Sequence, residues 1–168
     1  MGTYVQGATD VTQDNASTFA TVAKAFTSNV TAGRTLVGAA GCSGTASPTV
    51  SDGVSYVVAT NTYDATNDQS HFQFYKANTT AGAKTVTVTW GANKPYNRLA
   101  IMEITGVDTT APFDGAAAQV QAGGTTTDYY SSTNITSTAT GFVFGSTQNT
   151  AEASPGTGTI TAGATPTF

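Results

Sequence analysis

Val86 and Val88 alternate with Thr85, Thr87 and Thr89 in a run introduced by the small turn Ala81-Gly82-Ala83. Successive strand side chains point to opposite faces, so this run predicts a strand with one face in the core and one in water. The same period recurs in His71-Phe72-Gln73-Phe74-Tyr75-Lys76-Ala77, with Phe72 and Phe74 on one face, and more weakly in Ser17 to Phe26. Arg34 to Ala40 is more continuously apolar and predicts a central buried strand, and Arg98 to Thr105 predicts a further strand closed by Gly106. Tyr56 to Ala59 continues as strand, and Gly141-Phe142-Val143-Phe144-Gly145, short, apolar and bounded by glycine, predicts another central strand. Weaker strands are expected over Ala116 to Ala122, Thr133 to Ser137 and Thr159-Ile160-Thr161.

The punctuation between these runs is that of turns. Asp52-Gly53 supplies the positive-φ positions of a tight hairpin. Asn29 to Gly33, Gly41 to Pro48, Asn61 to Ser70, Asn78 to Ala83 and Gly91 to Asn97 read as turns or loops. Leucine occurs only at Leu36 and Leu99, and no segment carries a sustained 3.6-residue apolar period. Eight to ten short strands with turn signals every 8–12 residues predict an all-β protein, a two-sheet antiparallel β-sandwich of jelly-roll-like form. Residues 1–16 are polar and weakly patterned, so they are expected as an N-terminal arm or edge segment. With no later shift in composition, residues 17–168 are expected as a single β-sandwich domain.

Charged residues make up only 10% of the chain and threonine about a fifth, against a charged fraction of about 25% in ordinary globular proteins. Surface polarity must come from Thr, Ser, Asn and Gln. The basic residues Lys24, Arg34, Lys76, Lys84, Lys94 and Arg98 are scattered in a chain of net charge -4. Nucleic-acid binding, which needs a basic stripe to replace condensed counterions, is therefore not expected, nor is a polybasic membrane patch. No run approaches the apolar length of a membrane span. No basic segment leads into an apolar run at Met1 to Val5, so no signal peptide is expected. Cys42, the single cysteine, reads as a small buried residue at a strand end.

In order, several segments together resemble a family of β-sandwich, jelly-roll-like modules found in tailed-phage virion surface proteins and in secreted bacterial multidomain proteins. They are Val30 to Val37, Val50-Ser51-Asp52-Gly53 with Tyr56, Phe74 to Asn78, Ala81 to Thr89, Met102 to Val107 and Phe142 to Gly145, spanning most of residues 29–145. The second hairpin is shorter than the family's usual Asp-x-x-Gly-Asn form. The family pattern also usually runs on for another strand pair beyond Thr161-Ala162-Gly163, whereas this sequence stops at Phe168; the last strands would then be missing, trimmed or supplied by a partner. The resemblance implies a structural or adhesive module without a shared catalytic site.

Candidate chemistry is sparse. His71 is the only histidine and reads as a strand-edge residue, since no spacing suggests metal or triad partners. Glu103, inside the apolar run Ile101 to Ile104, reads as a partly buried carboxylate hydrogen-bonded to a neighbouring loop. With Glu152 as the only other glutamate, a facing glycosidase pair is not indicated. Asp64, Asn67 and Asp68 form the densest oxygen cluster, but their spacing is no EF-hand loop and these residues favour turns in any case. Tyr96, Tyr129 and Tyr130 would stack on sugar rings if exposed, though packing is the commoner use. Asn15, Asn29, Asn78 and Asn134 open acceptor triplets for glycosylation that arise readily in so threonine-rich a chain.

The expectation is thus a non-enzymatic structural protein at a phage virion surface, a capsid decoration or head/tail fibre subunit. It would carry no catalytic residues, cofactor or metal, and would work by docking and self-association. Its partners would be other copies of itself and other virion proteins of a capsid or tail lattice, with a surface glycan as a further ligand. The alternative is an extracellular bacterial module for carbohydrate binding or adhesion, or a filament subunit completed by a neighbour's strand. A hydrolase is a third reading with no motif to carry it.

Overall fold

The computed structural model describes residues 2–116 and 142–146. Among them run eight strands and no helix: β1 (Thr3–Asp10), β2 (Phe19–Ala25), β3 (Thr35–Ser43), β4 (Thr49–Ser51), β5 (Val57–Asp64), β6 (Gln69–Lys76), β7 (Thr85–Lys94) and β8 (Arg98–Thr105). One sheet has the order β1-β8-β3-β6-β5, the other β2-β7-β4, and every pairing is antiparallel. The pairs β1 with β8, β2 with β7 and β3 with β6 are nested, as in a long hairpin folded across two sheets, which is the connectivity of a jelly roll. The fourth nested pair is reduced to a lone bridge between Ser51 and Ser55, because β5 turns back onto β6 and adds to the larger sheet.

The two inner faces bury one core. Val22 from β2, Val50 from β4 and Val86, Val88 and Trp90 from β7 meet Leu36, Ala40 and Cys42 from β3, Phe72 and Phe74 from β6, and Leu99 and Ile101 from β8. The Phe72 and Trp90 rings meet edge to face at 5.6 Å, as do Tyr56 and Phe74 at 5.7 Å, contacts worth about 0.5–1.5 kcal/mol each beyond their buried area. Loop residues Phe26, Val30 and Tyr56 close the end at which β3 begins. The strict Val/Thr alternation of β7 is realised as a buried valine face and an outward threonine face.

Arg98 to Thr105 forms β8 as expected, and the run from Arg34 to Ala40 enters β3 at Thr35; that strand is buried from Thr35 to Cys42. That strand continues past the expected loop start at Gly41, because Gly41 and Cys42 keep their ladder partners His71 and Ser70 on β6. Likewise β7 runs through the expected loop start at Gly91 as far as Lys94, which pairs with Phe19. The loop expected over Asn61 to Ser70 shrinks to 65–68. The polar run Thr60 to Tyr63 is strand because it lies on a sheet edge, where one side of the backbone is solvated and polar side chains carry no burial penalty. His71 is correspondingly no edge residue: it lies between Gly41 on β3 and Thr62 on β5.

The central strand expected at Phe142 to Gly145 is not formed. Residues 142–146 have no ladder partner and Val143 is 84% exposed. The segment lies over the outer face of the larger sheet instead. A Cβ on Gly2 would collide with Phe142, and Ser146 reaches β6. The strands expected from Ala117 to Ala122, at Thr133 to Ser137 and at Thr159 to Thr161 lie outside the described residues. Residues 3–10 of the expected arm or edge segment pair with β8 as the outermost strand of the larger sheet.

Candidate functional site

The outer face of the larger sheet is built by the alternate residues that the core does not use. On β3 these are Val37, Ala39 and Gly41, on β8 Arg98 and Ala100, and on β6 His71, Gln73 and Tyr75. Small residues at the centre of this face leave a cleft of about 200 Å³, floored by Ala39, Gly41 and Ala100 and bordered by Thr9, Val11, His71, Arg98 and Ser146. Nearer the other end of β6, Phe113 stacks on Tyr75 with ring centroids 5.3 Å apart and planes 8° from parallel. Phe113 remains 43% exposed.

Ser146 is fixed by two contacts. Gln73 Nε2 donates to its Oγ at 2.9 Å, and His71 Nε2 lies 3.1 Å from the same oxygen. Burial pushes the His71 imidazole below its ordinary value, so it is neutral near pH 7. In the neutral ring one nitrogen carries the proton, so the tautomer sets whether Ser146 Oγ donates to Nε2 or accepts from it. A serine hydroxyl on a neutral imidazole is the start of a nucleophile–base pair. Among the described residues, however, no carboxylate faces His71 to orient it as a triad requires. With Gln73, the pair forms a clasp that holds Ser146 against β6. Arg98 Nε meets Asp14 Oδ2 at 2.7 Å, with both side chains partly exposed, an attraction worth at most about 1 kcal/mol in that setting.

The clasp makes stability depend on pH. The folded state holds His71 below its unfolded value of 6.5, so between those two values the unfolded chain binds more protons. The contribution of a neutral, buried His71 is fully present above pH 6.5 and is lost as pH falls through the folded value. Thermal melting is expected to show a drop in midpoint that begins just below pH 6.5, and His71→Asn should flatten that limb. An unchanged limb in the variant would assign the acid sensitivity to the carboxylates.

The other sequence candidates serve the scaffold. Glu103 is buried, with Oε2 accepting from Gln6 Nε2 at 2.6 Å and Oε1 from the Thr31 backbone N–H at 3.0 Å, while Arg34 Nε stands 3.9 Å away. The loop hydrogen bond foreseen for it is present. Asp64 caps the turn 65–68; hydrogen bonds from the Asn67 side chain and from the Thr66 and Asn67 backbone hold its carboxyl below the usual range. Asp68 accepts from Tyr63 Oη at 2.6 Å and from Ser43 Oγ. Burial pushes the Cys42 thiol up to about 11, which keeps it in the unreactive protonated form. Asn15, Asn29, Asn78 and Tyr96 are exposed, whereas Tyr129, Tyr130, Asn134 and Glu152 lie outside the described residues.

Two features stand at the margins of the sandwich. Among the described residues neither β1 nor β5, the outermost strands of the larger sheet, has a partner on its outer side. Each carries a single charge, at its last residue: Asp10 on β1 and Asp64 on β5. Large apolar side chains are exposed on or beside both, Tyr4 at 54%, Val5 at 42% and Val11 on one side, Val57 at 52% and Tyr63 on the other. The second feature is the outer face of the smaller sheet, which aligns Thr21, Thr89 and Thr49 in one row and Ala23, Thr87 and Ser51 in the next, with no charge among them. Compared with known proteins, the chain matches no family model, no curated protein and no solved structure.

Proposed function

We propose that this chain is a non-catalytic structural subunit of a tailed-phage virion surface, a capsid decoration or head/tail fibre protein that works by docking on a lattice and on its own copies. The observation that carries this reading is the pair of outer edges, which hold no lysine or proline and which no strand among the described residues covers. Isolated soluble sandwiches blunt their outer strands with lysine, proline or a covering loop, because an open strand edge templates pairing with another chain. Here β1 and β5 present apolar side chains and one terminal carboxylate each. Bulges at Val5 and Ala59 interrupt each ladder once and leave the remaining residues in register for a partner. A β1-to-β5 contact between copies joins two different surfaces, so repetition gives a ring or an open array, the geometry that a surface lattice or a fibre uses.

Light scattering on the purified chain is expected to find an oligomer. Val5→Lys and Val57→Lys, each at an exposed edge position, should return it to monomer while leaving the melting temperature of the monomer within the range of ordinary surface substitutions, about 0.5 kcal/mol either way. A wild-type chain that stays monomeric at high concentration would overturn the reading.

The cleft and the exposed Phe113 face favour one second reading, an extracellular module that binds carbohydrate. Apolar ring faces and convergent polar groups are what a sugar requires. Glycan-array binding by the monomeric variants, abolished by Phe113→Ala, would support it.

A further inference from the structure

At the end of the sandwich opposite the cleft, three chain segments converge on one carboxylate. Asp52 opens the turn after β4, Lys76 ends β6 and Lys84 directly precedes β7. Lys76 stands on the same face of β6 as Phe72 and Phe74, so it points toward the core rather than away from it. Its Nζ lies 5.3 Å from the centre of the Tyr56 ring and 2.7 Å from Asp52 Oδ1. The Asp52 side chain is wholly buried and that of Lys76 is 11% exposed. Lys84 Nζ, held by Thr80 Oγ1 at 2.8 Å, stands 3.8 Å from Asp52 Oδ2.

The arrangement leaves two polar atoms stranded. Asp52 Oδ2 and the Tyr56 hydroxyl are both buried without a hydrogen-bond partner, a state that costs the full desolvation of each group. An ion pair between Lys76 and Asp52 satisfies Oδ1 and leaves that cost standing. A reaction that expels Oδ2 removes the carboxylate's share of that cost.

We propose that Lys76 and Asp52 are the two halves of an intramolecular amide cross-link between the sheets. Lys76 first passes a proton to Asp52 Oδ1 across their 2.7 Å contact, so that a neutral amine faces a neutral carboxyl; the amine nitrogen then attacks Cγ, the new N–Cγ bond forms, and the bond from Cγ to one oxygen breaks. The ammonium begins with three protons and the amide keeps one, so the other two leave with the departing oxygen as water. Charge balances, since a cation and an anion become a neutral amide, and no oxidant, reductant or activating co-reactant takes part. The Lys84 ammonium beside Oδ2 stabilises the charge that gathers there, as an oxyanion donor does. The Tyr56 hydroxyl, which burial and the Asp52 carboxylate keep protonated, stands by as proton carrier. Exclusion of water from the Asp52 side chain favours condensation over its reversal. The product ties the β4 turn to the end of β6 across a separation of 24 residues, a closed loop of the kind that a disulfide would otherwise make in a chain whose one cysteine is buried and free.

Intact mass spectrometry of the full chain tests this. The wild type is expected to weigh one water less than its sequence, and Lys76→Arg, which keeps the positive charge and the contact but not the amine, should restore the full mass. Proteolysis and tandem spectra of the wild type should yield a branched peptide that joins Lys76 to Asp52. A wild-type chain of full sequence mass overturns the proposal. A water loss that persists in Lys76→Arg also overturns it, because Asp52-Gly53 can close on its own backbone to a succinimide of the same mass. A branch through Lys84 in place of Lys76 overturns the assignment as well.

Discussion

Glu103→Ala is expected to cost the fold roughly 3–5 kcal/mol, since the carboxylate accepts two hydrogen bonds and such charge-assisted bonds contribute about 1.5–3 kcal/mol each. The mechanism is local and identifiable. Glu103 lies on the same face of β8 as Leu99 and Ile101, where the core runs out, and it ties three pieces of chain together. Gln6 belongs to β1, Thr31 to the β2–β3 loop, and Arg34 to the entry into β3. Without the carboxylate the Thr31 N–H has no acceptor in a part-buried position. Gln6 keeps its contact to the Ser28 carbonyl at 3.2 Å, and Arg34, 28% exposed, turns to water. The change should lower the melting temperature by on the order of 10 °C for a chain of this size. Glu103→Gln retains the shape and one acceptor oxygen, so it should lose about 1–2 kcal/mol. Equal losses in the two variants would mean that the charge and the second acceptor oxygen, and not the volume of the side chain, carry the effect.

The role of Glu103 was legible because a lone carboxylate in an apolar strand has few uses besides capping a neighbouring loop. Its partners were not legible, since Gln6 lies 97 residues away in sequence. The same division runs through the fold. Val86 and Val88 announced their strand and its buried face through strict alternation, and Arg34 to Ala40 announced a central strand through its continuous apolarity. Tyr56 to Ala59 announced the start of β5, but its continuation through Asp64 was hidden for two physical reasons. Its residues are polar because it is an edge, and the bulge at Ala59 breaks the period-two signal that would have revealed it. Phe142 to Gly145 misled in the opposite sense. An apolar run between glycines is compatible with a buried strand, but apolarity shows only that a segment seeks cover, and this one finds it against Gly2 and Val107 without pairing.

The cleft was illegible for a related reason. It is made by what β3 and β8 lack on their outer face, at Ala39, Gly41 and Ala100, and by a contact between His71 and Ser146 across 75 residues. Absence of side chains at alternate positions becomes a shape only when strands are placed in register. The ion cluster around Asp52 is similar. Asp52-Gly53 was visible as a turn, with Gly53 duly at a φ of 95°, while the arrival of Lys76 and Lys84 at its carboxylate depends on which loops the jelly roll gathers at one end.

Gly38→Ala is expected to destabilise the protein by about 3 kcal/mol, the upper end of what one inserted methyl group usually costs in a close-packed core. Gly38 lies midway along β3, paired with Phe74 on one side and Ile101 on the other. Its backbone takes no conformation that demands glycine; the demand is for space. A Cβ there would stand 2.4 Å from Phe74 Cζ and 2.5 Å from the Ala100 carbonyl oxygen. The ring can rotate or shift. The carbonyl cannot, because it belongs to the β8 backbone, and moving it would pull β8 from its register with β1 on the far side. Ala100 also floors the cleft together with Ala39, the neighbour of Gly38 on the outward face, so the added methyl group would disturb the core and the outer surface together. A double-mutant cycle separates the two obstacles. If the ring carries most of the strain, Gly38→Ala combined with Phe74→Leu should lose clearly less than the sum of the single changes. Additive losses would place the strain on the β8 carbonyl, and β3 and β8 would then have to separate along the line where the cleft now opens.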